Sequence, residues 1–135
     1  MSIKRVIDFI GQAKMFYLAT VEDNMPRVRP LGTIFESNGN LYTATLKSKE
    51  VAQQLAKNNK VEVAATIPGP LDKMKWIRIR ATLVEEANNK EELLKNAQAV
   101  MGQARGDADK CVVYRFDDAS VAECSFVSKP DIYTL

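Results

Sequence analysis

Hydrophobic and polar positions change period along this chain from helical to alternating and back, with no linker or repeat between the segments. Ile3, Val6, Ile7 and Ile10 recur at helical spacing behind Ser2, which is placed to cap a short helix that packs on a sheet edge. Met15 to Val21 reads as a buried strand, and Glu22-Asp23-Asn24 as the turn into a second strand from about Arg27 to Glu36. Ser37-Asn38-Gly39-Asn40 then reverses the chain into a third strand, Leu41 to Thr45, so that the first three strands form a meander.

Helical spacing returns from Lys49 to Asn58, where Val51, Ala52 and Leu55 can face inward and Asn58-Asn59 ends the run. Val61 to Ile67 is a fourth strand, interrupted by Pro68-Gly69-Pro70. In the long strand Trp76 to Glu85, Ile77, Ile79, Ala81 and Leu83 share one face, and Trp76, Arg78, Arg80 and Thr82 share the other. Asn89 with Glu92 resembles a capping box for a helix striped by Leu93, Leu94, Ala97, Val100 and Met101 and stopped by Gly106. Cys111 to Phe116 and Ser120 to Val127, separated by an Asp117-Asp118 turn, bring the total to about seven strands. So many short strands resolve their unpaired edges in a closed or nearly closed antiparallel barrel, with the helices at its periphery. The expected class is therefore mainly β with some α.

Composition narrows the function classes. The 135 residues, 46% hydrophobic and 27% charged, suit one domain over 1–135 with a substantial core. A net charge of +2 gives no overall basic excess, so a cationic site has to be local and nucleic acid is not the default partner. Cys111 and Cys124 lack zinc-ligand spacing and read as small buried hydrophobes, and the N-terminus carries no signal-like apolar run. No stretch reaches the roughly 20 apolar residues that span a bilayer, and the expectation is a cytoplasmic protein with reduced thiols. Histidine is absent, which removes imidazole bases, triads and imidazole metal ligands from consideration within this chain.

Candidate chemistry concentrates in one stretch. Arg27 and Arg29, two apart, point to the same face of a strand, while Lys47, Ser48 and Lys49 precede a helix whose first N–H groups lack intrahelical partners. With the hydroxyls of Thr43 and Thr45, they form a plausible seat for a phosphate. Lysines oppose the macrodipole at a helix start by about 0.3–1 kcal/mol each, a misfit that an anion would relieve. Taken alone, the arginines read first as a solvated strand face, and Lys47-Ser48-Lys49 more strongly still as an ordinary helix start capped by Ser48. The carboxylate pairs Glu85-Glu86, Glu91-Glu92 and Asp117-Asp118 read as solvated.

The order of these pieces resembles the pyridoxamine 5′-phosphate oxidase-like family of flavin-binding split barrels. It runs from Leu-Ala-Thr-Val in the first strand through Pro-Arg-Val-Arg-Pro, Tyr-Thr and Lys-Ser-Lys to a helix ending Gln-Leu and a Val-Glu-Val-Ala strand. The resemblance extends from Met15 to about Glu86. It implies an antiparallel split β-barrel with peripheral helices and a homodimer with FMN at the subunit interface. It further implies that Arg27 and Arg29, with Pro30 and Leu31, meet the flavin phosphate or ring edge. Lys47, Ser48 and Lys49 would hold the phosphate to within one position of register, and Thr43 and Thr45 would add polar contacts. Trp76 and Arg78 fall in the strand that would come across from the partner; a tryptophan there is more often a core or interface anchor than a cofactor wall, and both roles are compatible at a dimer seam.

The chain departs from the pyridoxamine phosphate oxidases proper. Those are longer and grip substrate with a C-terminal arginine and histidine, whereas this sequence has no histidine, so vitamin B6 oxidation is not expected. The same lack disfavours haem handling. What remains is an FMN-dependent oxidoreductase, of flavin reductase or nitroreductase type, with a small-molecule electron donor and a small organic acceptor. The alternatives are a non-catalytic flavin carrier, a deazaflavin-binding relative and, from another class, a barrel stacking single-stranded nucleic acid on Tyr42 and Trp76 beside Arg27, Arg29, Arg78 and Arg80.

Overall fold

Alternation along the strands decides which faces meet. In the computed structural model the backbone is described for residues 2–101 and 108–135, and the side chains for residues 2–97 and 108–135. Gly106 and the side chains of Val100 and Met101 lie outside the described residues. The elements are α1 (Ser2–Ala13), β1 (Phe16–Glu22), β2 (Met25–Leu31), β3 (Ile34–Ser37), β4 (Asn40–Leu46), α2 (Glu50–Lys57), β5 (Lys60–Ile67), β6 (Lys75–Glu85), α3 (Lys90–Met101), a 3-10 turn (Ala108–Lys110), β7 (Cys111–Ser125) and β8 (Asp131–Thr134). All strand pairs are antiparallel and form one sheet in the order β2-β1-β5-β6-β7-β4-β3, with β8 pairing to β7.

The single strand expected from Arg27 to Glu36 is broken at Gly32-Thr33. Its halves lie at opposite ends of the sheet: β2 pairs with β1, and β3 pairs with β4. Three Cα steps separate Leu31 from Ile34, a reach of at most about 11 Å, so the sheet must coil until its ends meet. No ladder joins β2 to β3, and the barrel is split rather than closed. The expected meander is corrected accordingly.

Two hairpins form where the sequence supplies residues tolerant of a left-handed backbone. Asp23 and Asn24 (φ 49° and 64°) join β1 to β2, and Asn38 and Gly39 (φ 50° and 79°) join β3 to β4, the two-residue pattern that suits strand twist. The proposed turn at Asp117-Asp118 is instead a bulge. β7 runs unbroken from Cys111 to Ser125 against β6, and its register shifts between Arg80 and Thr82 where Asp118 has φ 51°. Before the bulge β7 also pairs β4, and after it β8.

The main core fills the coiled sheet. One interior row crosses it through Leu18, Val63, Ile79 and Val121, all fully buried and directly paired across the ladders. Val6, Phe9 and Ile10 of α1 join this core against β5 and β3, and Val51 and Leu55 of α2 join it beside β1. α1 therefore packs on the edge strand β3, as expected, and on the central strand β5 as well, and Ser2 lies within the helix. β1 buries one face only, with Tyr17 exposed on the other. A second cluster lies outside β3, β4 and β7, where Leu93, Leu94 and Ala97 of α3 cover Phe35, Tyr42, Ala44, Cys111 and Val113. This buries Leu41 to Thr45 on both faces.

The capping box foreseen for α3 does not form in the expected way. Asn89 is left-handed (φ 60°), not extended as an N-cap residue is, and offers its carbonyl to the Leu93 N–H at 2.9 Å. Cys124 is only half-buried, unlike Cys111, and both thiols are free.

Candidate functional site

The interior row ends on a charge. Leu18 pairs with Arg29 of β2, so Arg29 shares the core-facing side of the sheet, and Arg27 follows it opposite Thr20. α2 packs beside β1, and its first turn comes up against the edge of β2. Arg29, Pro30 and Leu31 from the strand and Ser48, Lys49, Glu50 and Val51 from the helix start line a cleft of about 470 Å³. β2 ends the sheet, which is why prolines at positions 26 and 30 cost it no shared ladder bond on its outer side.

The local sequence explains the geometry of the helix start. The residue before the first turn is Lys49, extended at φ −77° and ψ 149°, and no side chain caps the helix; Ser48 does not serve as the cap. Lys49 accepts the Ala52 N–H at 3.1 Å through its carbonyl, while the first-turn amides of Glu50 and Val51 have no partner within an α-helix. Glu50 and Val51 line the cleft together with Lys49 and Arg29.

Arg29 is held by uncharged groups. Its Nη1 donates to the Leu18 carbonyl at 3.2 Å and to Thr20 Oγ1 at 2.7 Å, and its Nη2 donates to Gln54 Oε1. Among the described residues it has no ion-pair partner. Burial lowers its pKa from the usual arginine value, with the Glu50 carboxylate acting in the opposite direction, and the guanidinium stays charged at neutral pH.

Five of the sequence candidates, Arg29, Pro30, Leu31, Ser48 and Lys49, thus line one cleft. The others stand elsewhere. Arg27 is exposed and pairs with Glu22 at 3.2 Å. Lys47 is exposed and joins the 3-10 turn by its backbone, its N–H donating to the Lys110 carbonyl at 2.8 Å. Thr43 is buried and donates to the Thr33 carbonyl at 2.7 Å, bracing the break between β2 and β3. Thr45 is buried with no hydrogen-bond partner for its hydroxyl among the described residues. Trp76 lies on the outer face of β6, tilted against Phe126 with ring centroids 4.9 Å apart.

Three residues escaped the sequence reading: Thr20, Gln54 and Glu50. The first two had a signal. Thr20 follows Phe16 and Leu18 on the inward positions of β1, and Gln54 stands with Val51 and Leu55 at i, i+3 and i+4 on the inward stripe of α2. A polar residue at an inward position asks for a buried partner. Of the acidic pairs, Glu91 and Glu92, Glu85 and Asp118 are exposed as expected, whereas Glu86 and Asp117 are half-buried. Arg115 bonds Asp117 at 2.7 Å and Glu86 at 3.2 Å, and this contact holds the Asp117 carboxyl below its ordinary pKa. Among the described residues no group of three or more metal-ligating side chains gathers, and no helix is long and apolar enough to cross a membrane.

Comparison with known proteins places this geometry. The family model for pyridoxamine 5′-phosphate oxidase matches residues 3–117. A NimC/NimA family protein from Clostridium acetobutylicum is 30% identical over 98% of this chain and 92% of its own, with a TM-score of 0.84. A FAD-binding protein from Mesorhizobium loti superposes at a TM-score of 0.64 with 17% identity, over 88% of this chain and 94% of its own. A heme binding protein from Mycobacterium smegmatis does so at 0.76 with 13% identity, over 99% of this chain and 58% of its own. The last two share the fold alone. No curated protein matches the sequence. With the family model spanning most of the chain, this split barrel belongs to the pyridoxamine 5′-phosphate oxidase family.

Proposed function

We propose that this protein is an FMN-dependent oxidoreductase that passes electrons from a reduced nicotinamide or similar donor to a small organic acceptor. The observation that carries the reading is the cleft between β2 and α2, where Arg29, whose guanidinium has no ion-pair partner among the described residues, shares the lining with Lys49 and Glu50 at an uncapped helix start. Arg29, Lys49 and the helix start each stabilise a phosphate dianion by a different route: a forked charge-assisted bond, a point charge and aligned amides. The donor set therefore fits the phosphate end of the cofactor. Pro30, Leu31 and Val51 supply apolar wall beside it.

The bound flavin would supply the redox chemistry, and the chain's work would be binding and orientation. Arg29 and Lys49 would fix the phosphate, and the backbone at Pro30 and Leu31 would run alongside the ribityl chain. The chain has no histidine, so a proton accompanying electron transfer would come from solvent or from the substrates rather than from an imidazole. We place the flavin ring at the seam of a homodimer, with Trp76 and Phe126 on the outer sheet face as an anchor of that seam.

The test is an absorbance titration of the purified protein with FMN, followed by anaerobic addition of NADH or NADPH. Saturable binding, bleaching of the flavin bands by a donor and their return with a nitroaromatic or quinone acceptor are expected. Binding without reduction by any donor would leave a flavin carrier. No binding would overturn the reading.

A further inference from the structure

Arg29 has five N–H groups, and the described residues take three. Nη1 serves the Leu18 carbonyl and Thr20 Oγ1, and Nη2 serves Gln54 Oε1. Thr20 Oγ1 donates in turn to the same Gln54 oxygen at 2.6 Å, so the two acceptors stand side by side and match the terminal edge of the guanidinium. The lateral edge, Nε–H with the second Nη2–H, donates to no acceptor among the described residues. That edge is the fork suited to two oxygens of one phosphate.

Gln54 is an unexpected choice for this place. It is 2% exposed between Val51 and Leu55 on the buried stripe of α2, a place usually held by an apolar side chain. Its Nε2 has no hydrogen-bond partner among the described residues, a penalty that packing does not explain. A glutamate here would offer the same oxygen but would also cancel the charge of Arg29. An amide holds the guanidinium and leaves its charge intact.

We propose that Gln54 is a positioning residue: with Thr20 it fixes the terminal edge of Arg29 and presents the lateral edge to a phosphate group in the cleft between β2 and α2. This rests on the reading of that cleft as the flavin-phosphate seat.

The experiment compares FMN with riboflavin, which lacks the phosphate, by fluorescence titration of the full chain and of its Gln54→Leu, Gln54→Glu, Arg29→Ala and Arg29→Ala/Gln54→Leu variants. Gln54→Leu should weaken FMN about tenfold or more, the scale of one charge-assisted bond, leave riboflavin unchanged and add nothing once Arg29 is alanine. Gln54→Glu should weaken FMN further. Equal losses for FMN and riboflavin would make Gln54 merely structural and overturn the proposal. So would an FMN affinity untouched by Gln54→Leu but lowered by Arg29→Ala, which leaves the phosphate seat standing. If the full chain binds FMN no tighter than riboflavin, the seat and the proposal fall together. Thr20→Val carries the same expectation should the leucine variant fail to fold.

Discussion

Two strands of this barrel carry the same motif, an arginine pair separated by one residue, and the fold puts them to opposite use. Arg78 and Arg80 lie on the outer face of β6 and share one carboxylate, Glu62 of β5, at 2.6 and 3.5 Å. Arg29 lies on the core-facing side of β2 and is held by a carbonyl, a hydroxyl and an amide, while its neighbour Arg27 takes Glu22. The first pair is half-neutralised by the carboxylate it shares; Arg29 is immobilised by uncharged hydrogen-bond partners, with the Glu50 carboxylate acting on it only through its charge. A strand arginine is available to an anion when its fixed partners are neutral, which spacing alone does not reveal.

The largest test of this contrast is the pair of changes Arg29→Ala and Lys49→Ala. Each should weaken FMN by about 1–3 kcal/mol, and Arg78→Ala should leave the affinity within about 0.5 kcal/mol of its starting value. An equal loss at Arg78 would erase the distinction between the two strands. Next in size is Trp76→Ala, which removes the contact with Phe126; if these rings anchor the proposed homodimer seam, the variant should raise the dissociation constant of that dimer about tenfold by sedimentation, and an unchanged constant would place the rings outside the seam.

Smaller effects sharpen the role of fixed carboxylates. Asp117 is held below its ordinary pKa, first by its hydrogen bond from Arg115, so it contributes stability above its unfolded pKa that is lost as pH falls through the folded value. Asp117→Asn should therefore lower stability at neutral pH by no more than about 1 kcal/mol, since the pair is one-third exposed, and the gap should close in acid denaturation series. Smallest is Glu62→Gln, which frees Arg78 and Arg80. It should raise weak binding of a single-stranded oligonucleotide about two- to threefold at low salt, a gain that vanishes as salt is added. Tight binding by the unaltered chain would instead revive a nucleic-acid role for the outer face.

Much of the architecture was legible because alternation is a strong signal. The buried face of β6 was read correctly from Ile77, Ile79, Ala81 and Leu83, and both hairpin turns from residues that accept a left-handed backbone. The break at Gly32-Thr33 was not legible, because pairing partners far apart in sequence decide which half of a strand joins which edge. Nor was the bulge at Asp118, since an acidic pair marks a turn and a bulge equally well. Strand β8 was missed because four mostly exposed residues carry little pattern. In the candidate site the charged residues drew attention, whereas Thr20 and Gln54 did not, although polar residues on inward positions were the sign to follow.

The measurement that bears most directly on the phosphate seat is the ratio of FMN to riboflavin affinity, taken for the unaltered chain and for Arg29→Ala. With two or more charge-assisted contacts to the phosphate, the unaltered chain should favour FMN by about a hundredfold, and Arg29→Ala should cut that preference at least about tenfold. Equal affinities for the two flavins, or a preference that survives the loss of Arg29, would contradict the account.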